Sequence, residues 1–162
     1  MFEFMADLKR NPKVVKRLEL YENGFFDVSP EQICLAEKFL GYELPVQLRA
    51  FYLEVGEGRL QTGRNGRTSD FNNVASPDDL VAIQNGTSDW LMPYTEIEPD
   101  TLPFFERDVD LFLCLHPKSD NPNAVWWMWG EKMPNGGKIC DSLVEFFQRL
   151  VEDPNWFNPP RP

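Results

Sequence analysis

Histidine is nearly absent from this sequence: its 162 residues hold one, His116, followed by Pro117. Any Ser-His-Asp or Cys-His arrangement would have to be built around that single side chain. Cysteine is scarce too, with Cys34, Cys114 and Cys140 far apart and no C-x-x-C pair. A structural zinc site usually draws four ligands from Cys and His in close pairs, so none is expected. An odd number of isolated cysteines fits free thiols in a reducing compartment. Cys34 and Cys114 lie on apolar patterns and read as buried fillers. Cys140 precedes a helix start, where a thiol pKa can fall, and reads as a packed thiol. No apolar run approaches the roughly 20 residues that span a bilayer. The opening MFEFMADLKRNPK lacks the basic start and apolar stretch of a secretory leader, so a cytoplasmic location is expected. Basic residues are outnumbered, 16 against 26 acidic, for a net charge of −10. Phosphate backbones require clustered positive charge, so direct nucleic-acid binding is not expected. The glycine-rich GEGRLQTGRNGRT lacks the G-K-[ST] of a phosphate-binding loop, and its Arg59, Arg64 and Arg67 read as solvated turn charges. No dinucleotide fingerprint and no calcium loop are present, and no cofactor is expected.

What remains is a protein with enough apolar residues, 42% of the chain, to build one core. Its helices are legible. Ser29, Pro30 and Gln32 form an N-cap, a first-turn proline and a capping box, with Val28 and Ile33 as the hydrophobic staple. Ile33, Ala36, Phe39 and Leu40 recur with helical spacing as the buried stripe, and Gly41 stops the helix. Pro45 opens a second helix whose Leu48, Phe51, Tyr52 and Val55 share one face, ended by Gly56 and Gly58. Asp141 or Ser142 caps a final helix, Ser142 with Glu145 making a capping box. Its stripe is Leu143, Phe146, Phe147, Leu150 and Val151, and Pro154 ends it. Weaker signals place short helices after Asn11-Pro12 and after Ser76-Pro77.

Leu111–Leu115 is continuously apolar and reads as a strand covered on both faces. The run 125–129 is a second, with Trp127 and Trp129 on one face and Trp126 on the other. Asn135-Gly136-Gly137 turns the chain into a short strand at Lys138-Ile139, and Phe71–Val74 is a further strand. Long connections are expected over 59–70 and 84–106. The sum is one α+β domain over 1–162, a sheet with helices packed on one side. Residues 1–28 form an N-terminal segment and 153–162 a proline-rich tail.

Charge is unevenly spread. Residues 1–67 carry ten acids and ten bases, whereas 68–110 carry ten acids and only Arg107. Such a block suits a solvated face or an attractive field for a basic partner. Aromatics beside charge are common anchors of protein interfaces.

Two blocks resemble the SUKH superfamily. The first runs from Ile33 through Glu37, Leu40-Gly41 and Leu44-Pro45 to Leu48-Arg49 and Phe51-Tyr52. The second is Ile139-Cys140-Asp141-Ser142-Leu143-Val144-Glu145-Phe146-Phe147, after a Trp-bearing strand. Where that family often has Asn-Gly-Gly after the second helix, this chain has Gly56-Glu57-Gly58. The resemblance implies an α+β fold with a mixed, strongly curved sheet. It also implies an immunity protein that neutralises a cognate toxin, often a basic nuclease domain, and provides no catalytic residues to assign.

The resulting expectation is a non-enzymatic binding module, monomer or homodimer, that blocks a basic toxin domain with an acidic surface. Its expected contacts are Asp78, Asp79, Asp89, Trp90, Glu96, Glu98, Asp108 and Asp110. The alternative is a regulatory scaffold of a cell-wall or signalling pathway. An enzyme using paired carboxylates would need a separation that sequence does not reveal.

Overall fold

The computed structural model describes residues 1–8, 24–61, 71–88, 97–98, 100–107, 111–128, 134–153 and 156–157. The helix expected after Asn11-Pro12 and most of the proline-rich tail lie outside them.

Helix α1 spans Pro30–Leu40, and its capping box is complete. The Ser29 hydroxyl accepts from Gln32 N, and the Gln32 side chain accepts from Ser29 N. Gly41 closes the helix at φ 78°, its N–H donating to the Glu37 carbonyl at 2.9 Å. Helix α2, Val46–Glu54, follows after five residues and has Pro45 as its N-cap. The Glu37 carboxylate holds the joint between them. It accepts from Leu44 N at 3.0 Å and pairs with Arg49 at 3.4 Å. The acidic residue, the Leu-Pro and the arginine of the first motif block thus act on one structural corner.

Among the described residues, seven strands form one open sheet in chain order, every ladder antiparallel. They are β1 (Gly24–Phe26), β2 (Glu57–Gln61), β3 (Phe71–Val74), β4 (Leu102–Arg107), β5 (Leu111–Leu115), β6 (Val125–Trp127) and β7 (Lys138–Cys140). The α+β class is as expected, but the sheet is an antiparallel meander where the resemblance implied a mixed one. Register shifts at Pro103/Phe105 and Val125/Trp126 mark irregularities of the kind that bend a strand. Strands β2 and β4 fall inside or beside stretches expected to be loop. Helix α3 (Pro77–Gln84) separates β3 from β4, and α4 (Leu143–Glu152) follows β7.

The main core gathers alternate strand residues Phe25, Leu60, Val74, Phe105, Leu113 and Trp127 under Leu48 and Phe51 of α2 and Phe146, Phe147 and Leu150 of α4. A smaller cluster of Phe112, Cys114 and Met128 with Ile83 of α3 takes the opposite face of β5 and β6. Strand β5 is therefore covered on both faces, as its unbroken apolar run requires. Two stripe assignments and one buried filler need correction. Phe39 is exposed, because Ile33 and Ala36 set the inward side of α1 and Phe39 lies well round the helix from it. Val151 is exposed at the end of α4, and Cys34 is exposed on α1 rather than packed.

Candidate partner-binding surface

The expected acidic contacts divide into those the structure positions and those it does not. Asp89, Trp90, Glu96, Asp108 and Asp110 lie outside the described residues. Asp78 and Asp79 occupy the first turn of α3, where carboxylates meet the unpaired N–H groups of a helix start. Asp79 is committed to the cap. It accepts from Ser76 N at 3.0 Å and from the Ser76 hydroxyl at 2.7 Å, while its own N–H donates to that hydroxyl at 3.0 Å. Asp78 is exposed and free to face a partner. Glu98 is also exposed but belongs to the other end of α3. The Thr101 N–H donates to the Glu98 carbonyl at 3.0 Å, and the Gln84 side chain donates to the Thr101 carbonyl at 2.6 Å. The structure thus separates Asp78 and Asp79 from Glu98 by the length of α3, about 12 Å for eight residues.

A carboxylate that sequence reasoning missed joins the first pair. Glu57 starts β2, and its Oε2 is buried without a hydrogen-bond partner. Burial raises its pKa most, Asp79 and Asp78 raise it further, and the Ser76 hydroxyl draws it partly back. The neighbouring Tyr52 is wholly buried, and its hydroxyl donates to the Ala75 carbonyl at 2.7 Å. Burial first, then Glu57 and Asp79, push its pKa well above the ordinary value. The backbone around Glu57 is tightly held. Gly56 and Gly58 adopt φ 109° and 144°, and a Cβ would stand 1.9 Å from Phe26 O and 2.1 Å from Gly24 O respectively. The only sequence signal was the departure Gly56-Glu57-Gly58. Counting charge by stretches placed Glu57 in the neutral part of the chain.

A second polar corner forms where α1 ends against the start of β4 and the end of β5. Asp100 accepts from Lys118 N at 3.0 Å through its carboxylate, and its carbonyl lies 2.9 Å from His116 Nδ1. A carbonyl only accepts, so Nδ1 carries the proton and donates. That contact fixes the ring against Trp126, 5.5 Å between centroids, rather than poising it beside a nucleophile. Burial and then Asp100 push the Tyr42 hydroxyl up to about 12, and Lys118 Nζ stands 5.8 Å from the Tyr42 ring.

The cysteines separate by environment. Burial, then Glu98, pushes the Cys114 thiol up to about 12. Cys140 is likewise pushed up to about 12, chiefly by burial, despite standing near the start of α4. Of the tryptophans, Trp127 enters the main core, while Trp126 points to the other face with Lys138 Nζ 5.7 Å from its ring. Trp129 lies outside the described residues. Among the described residues no three of His, Cys, Asp and Glu come together as a metal ion would require, and no helix is long and apolar enough to cross a membrane.

Comparison with known proteins agrees with this geometry. The chain is 27% identical over 141 residues to "Immunity protein YxxD" of Bacillus subtilis (strain 168), which covers 84% of this chain and 88% of that protein. The family model of the SMI1 / KNR4 family (SUKH-1) matches residues 27–149, from the residue before Val28 through most of α4. With three-quarters of its length matched, and with the Glu37 corner and the Ser142-capped final helix in place, the chain belongs to the SMI1/KNR4 family (SUKH-1).

Proposed function

We propose that this chain is an immunity protein, a binding module without catalytic chemistry that neutralises a cognate toxin domain. Its similarity to an immunity protein over most of both chains carries the reading. The net charge of −10 and the acids clustered over 68–110 support a basic partner, such as a nuclease domain whose active site handles phosphate. Among the described residues, Asp78 and Glu98 are the exposed acids that would meet it, and Asp79 holds the helix that presents Asp78. Asp89, Trp90, Glu96, Asp108 and Asp110 belong to the same proposed surface.

The test is co-expression with the protein encoded immediately upstream, followed by pull-down and growth rescue. Rescue with a stable complex supports immunity. Neither toxicity nor binding would leave the regulatory-scaffold alternative. Once a complex is in hand, Asp78→Lys with Glu98→Lys takes the net charge from −10 to −6, since each reversal adds two charges. The association rate should fall about tenfold at low salt and lose part of its salt dependence. An unchanged rate and salt slope would reject the acidic surface while leaving neutralisation itself intact.

A further inference from the structure

Helix α1 turns Ile33 and Ala36 inward and leaves Glu31, Cys34, Leu35, Lys38 and Phe39 facing water. Leu35 is 49% exposed and Phe39, one turn on, 64%. Two large apolar side chains adjacent on one helix face are an unpartnered surface. Glu31 and Lys38 lie close to the middle line of that face, two turns apart. Neither has an opposite charge three or four residues away on α1, and among the described residues neither enters an ion pair.

We propose that this face pairs with the same face of a second copy of the chain, the two α1 helices antiparallel about a two-fold axis between Cys34 and Leu35. The charge pattern selects that arrangement. Run antiparallel, each Glu31 stands opposite the second copy's Lys38, giving two ion pairs. Run parallel, Glu31 would face Glu31 and Lys38 would face Lys38. The axis brings Leu35 against the second copy's Leu35 on one side and Cys34 beside the second copy's Cys34 on the other. Phe39 flanks the apolar side at both ends. An isologous contact of this kind closes on itself at two chains. An 11-residue helix is about 16 Å long. The contact therefore falls at the small end of specific interfaces, and the dimer exchanges with monomer at a Kd on the order of 10–100 μM. The surface contains none of Asp78, Asp79 and Glu98, so it stands or falls independently of the proposed toxin contacts.

Sedimentation of the full chain in reducing buffer, over about 5 μM to 0.5 mM, should show a reversible monomer–dimer equilibrium. Leu35→Glu with Phe39→Glu should leave monomer at every concentration, with an unchanged circular dichroism spectrum. Glu31→Lys should weaken the dimer about three- to tenfold, and Glu31→Lys with Lys38→Glu should restore it, because the swapped pair is again complementary. Mild copper oxidation should yield a covalent dimer that Cys34→Ser abolishes. A wild-type chain that stays monomeric throughout overturns the proposal. So does a dimer that survives the Leu35/Phe39 substitutions, or a charge swap that restores nothing.

Discussion

Helix α4 meets α2 through a pair of stacked rings, beside a hydrogen bond from Val144 N to the Gln47 side chain at 3.2 Å, and the strength of the ring pair can be measured. Phe51 and Phe147 are fully buried, their centroids 4.2 Å apart and their planes within 10°. Phe2 closes edge-on upon both, at 5.2 and 6.0 Å. Truncating either ring to alanine would cost about 3–5 kcal/mol, a large share of the roughly 5–15 kcal/mol that holds a domain folded. Leucine keeps most of the volume and loses the stacked face, so Phe51→Leu and Phe147→Leu should each cost about 1–2 kcal/mol. With a urea slope near 2 kcal/mol per molar, each midpoint falls by about 0.5–1 M. The first substitution already removes the stacking, so the double variant should lose about 0.5–1.5 kcal/mol less than the sum of the singles. Urea unfolding followed by tryptophan fluorescence measures this, since Trp127 lies in the same core. Phe25→Leu with Phe157→Leu is the control, because those rings share no contact among the described residues and should add. Additivity within about 0.3 kcal/mol for Phe51 and Phe147 would refute a specific ring pair and leave only general apolar burial.

Three further outcomes follow from the site. Gly58→Ala should cost on the order of 3 kcal/mol or more, because its Cβ meets backbone on β1 at positive φ, whereas Gly41→Ala, with open space around it, should cost about 1 kcal/mol; equal losses in urea unfolding would contradict the close approach of β1 to β2. Glu57 has a folded pKa above its unfolded value, so the folded state holds its proton longer and loses stability as pH rises. Glu57→Gln should accordingly gain stability over wild type at pH 7–8, with the gap closing as pH falls through the ordinary carboxyl value of 4.5; a gap that does not change with pH would reject the burial of that carboxylate. Tyr42 and Tyr52 should stay protonated in the folded protein at pH 11, so tyrosinate absorbance should report at most two of the four tyrosines until unfolding releases the others.

The helices were readable because their signals are local. Ser29-Pro30 with Gln32, Ser76-Pro77 with Asp79, and Ser142 each satisfy backbone donors within three residues, and every one forms its cap. The Ser142 cap departs only in detail, since Glu145 turns to Arg149 at 2.7 Å. Strands carry no such signature when they are short or mixed in composition. Glu57–Gln61 alternates poorly, and only its pairing with β1 and β3 makes it a strand. Pro103 sits where the β4–β5 register shifts, which is how a proline enters a sheet and why sequence alone read loop there. The mixed sheet came from resemblance alone, and no spacing in the chain specified strand direction.

Acidity was legible as a total but not as a surface, because a count along the chain ignores what each carboxylate already does. Asp79 is spent on a cap, Asp100 on Lys118 N, and Glu98 lies an α3 length from Asp78. Glu57, counted as balanced by distant bases, instead stands with Asp78 and Asp79, and the fold disfavours its charge. A basic partner approaching the start of α3 would do more than gain from Asp78. Positive charge brought near Glu57 favours its ionised form, relieving a repulsion that the free protein carries. Binding there should therefore release protons at mildly acidic pH. Calorimetry of a toxin complex in buffers of different ionisation enthalpy reads that release directly, and no proton release would place the contact elsewhere on the molecule.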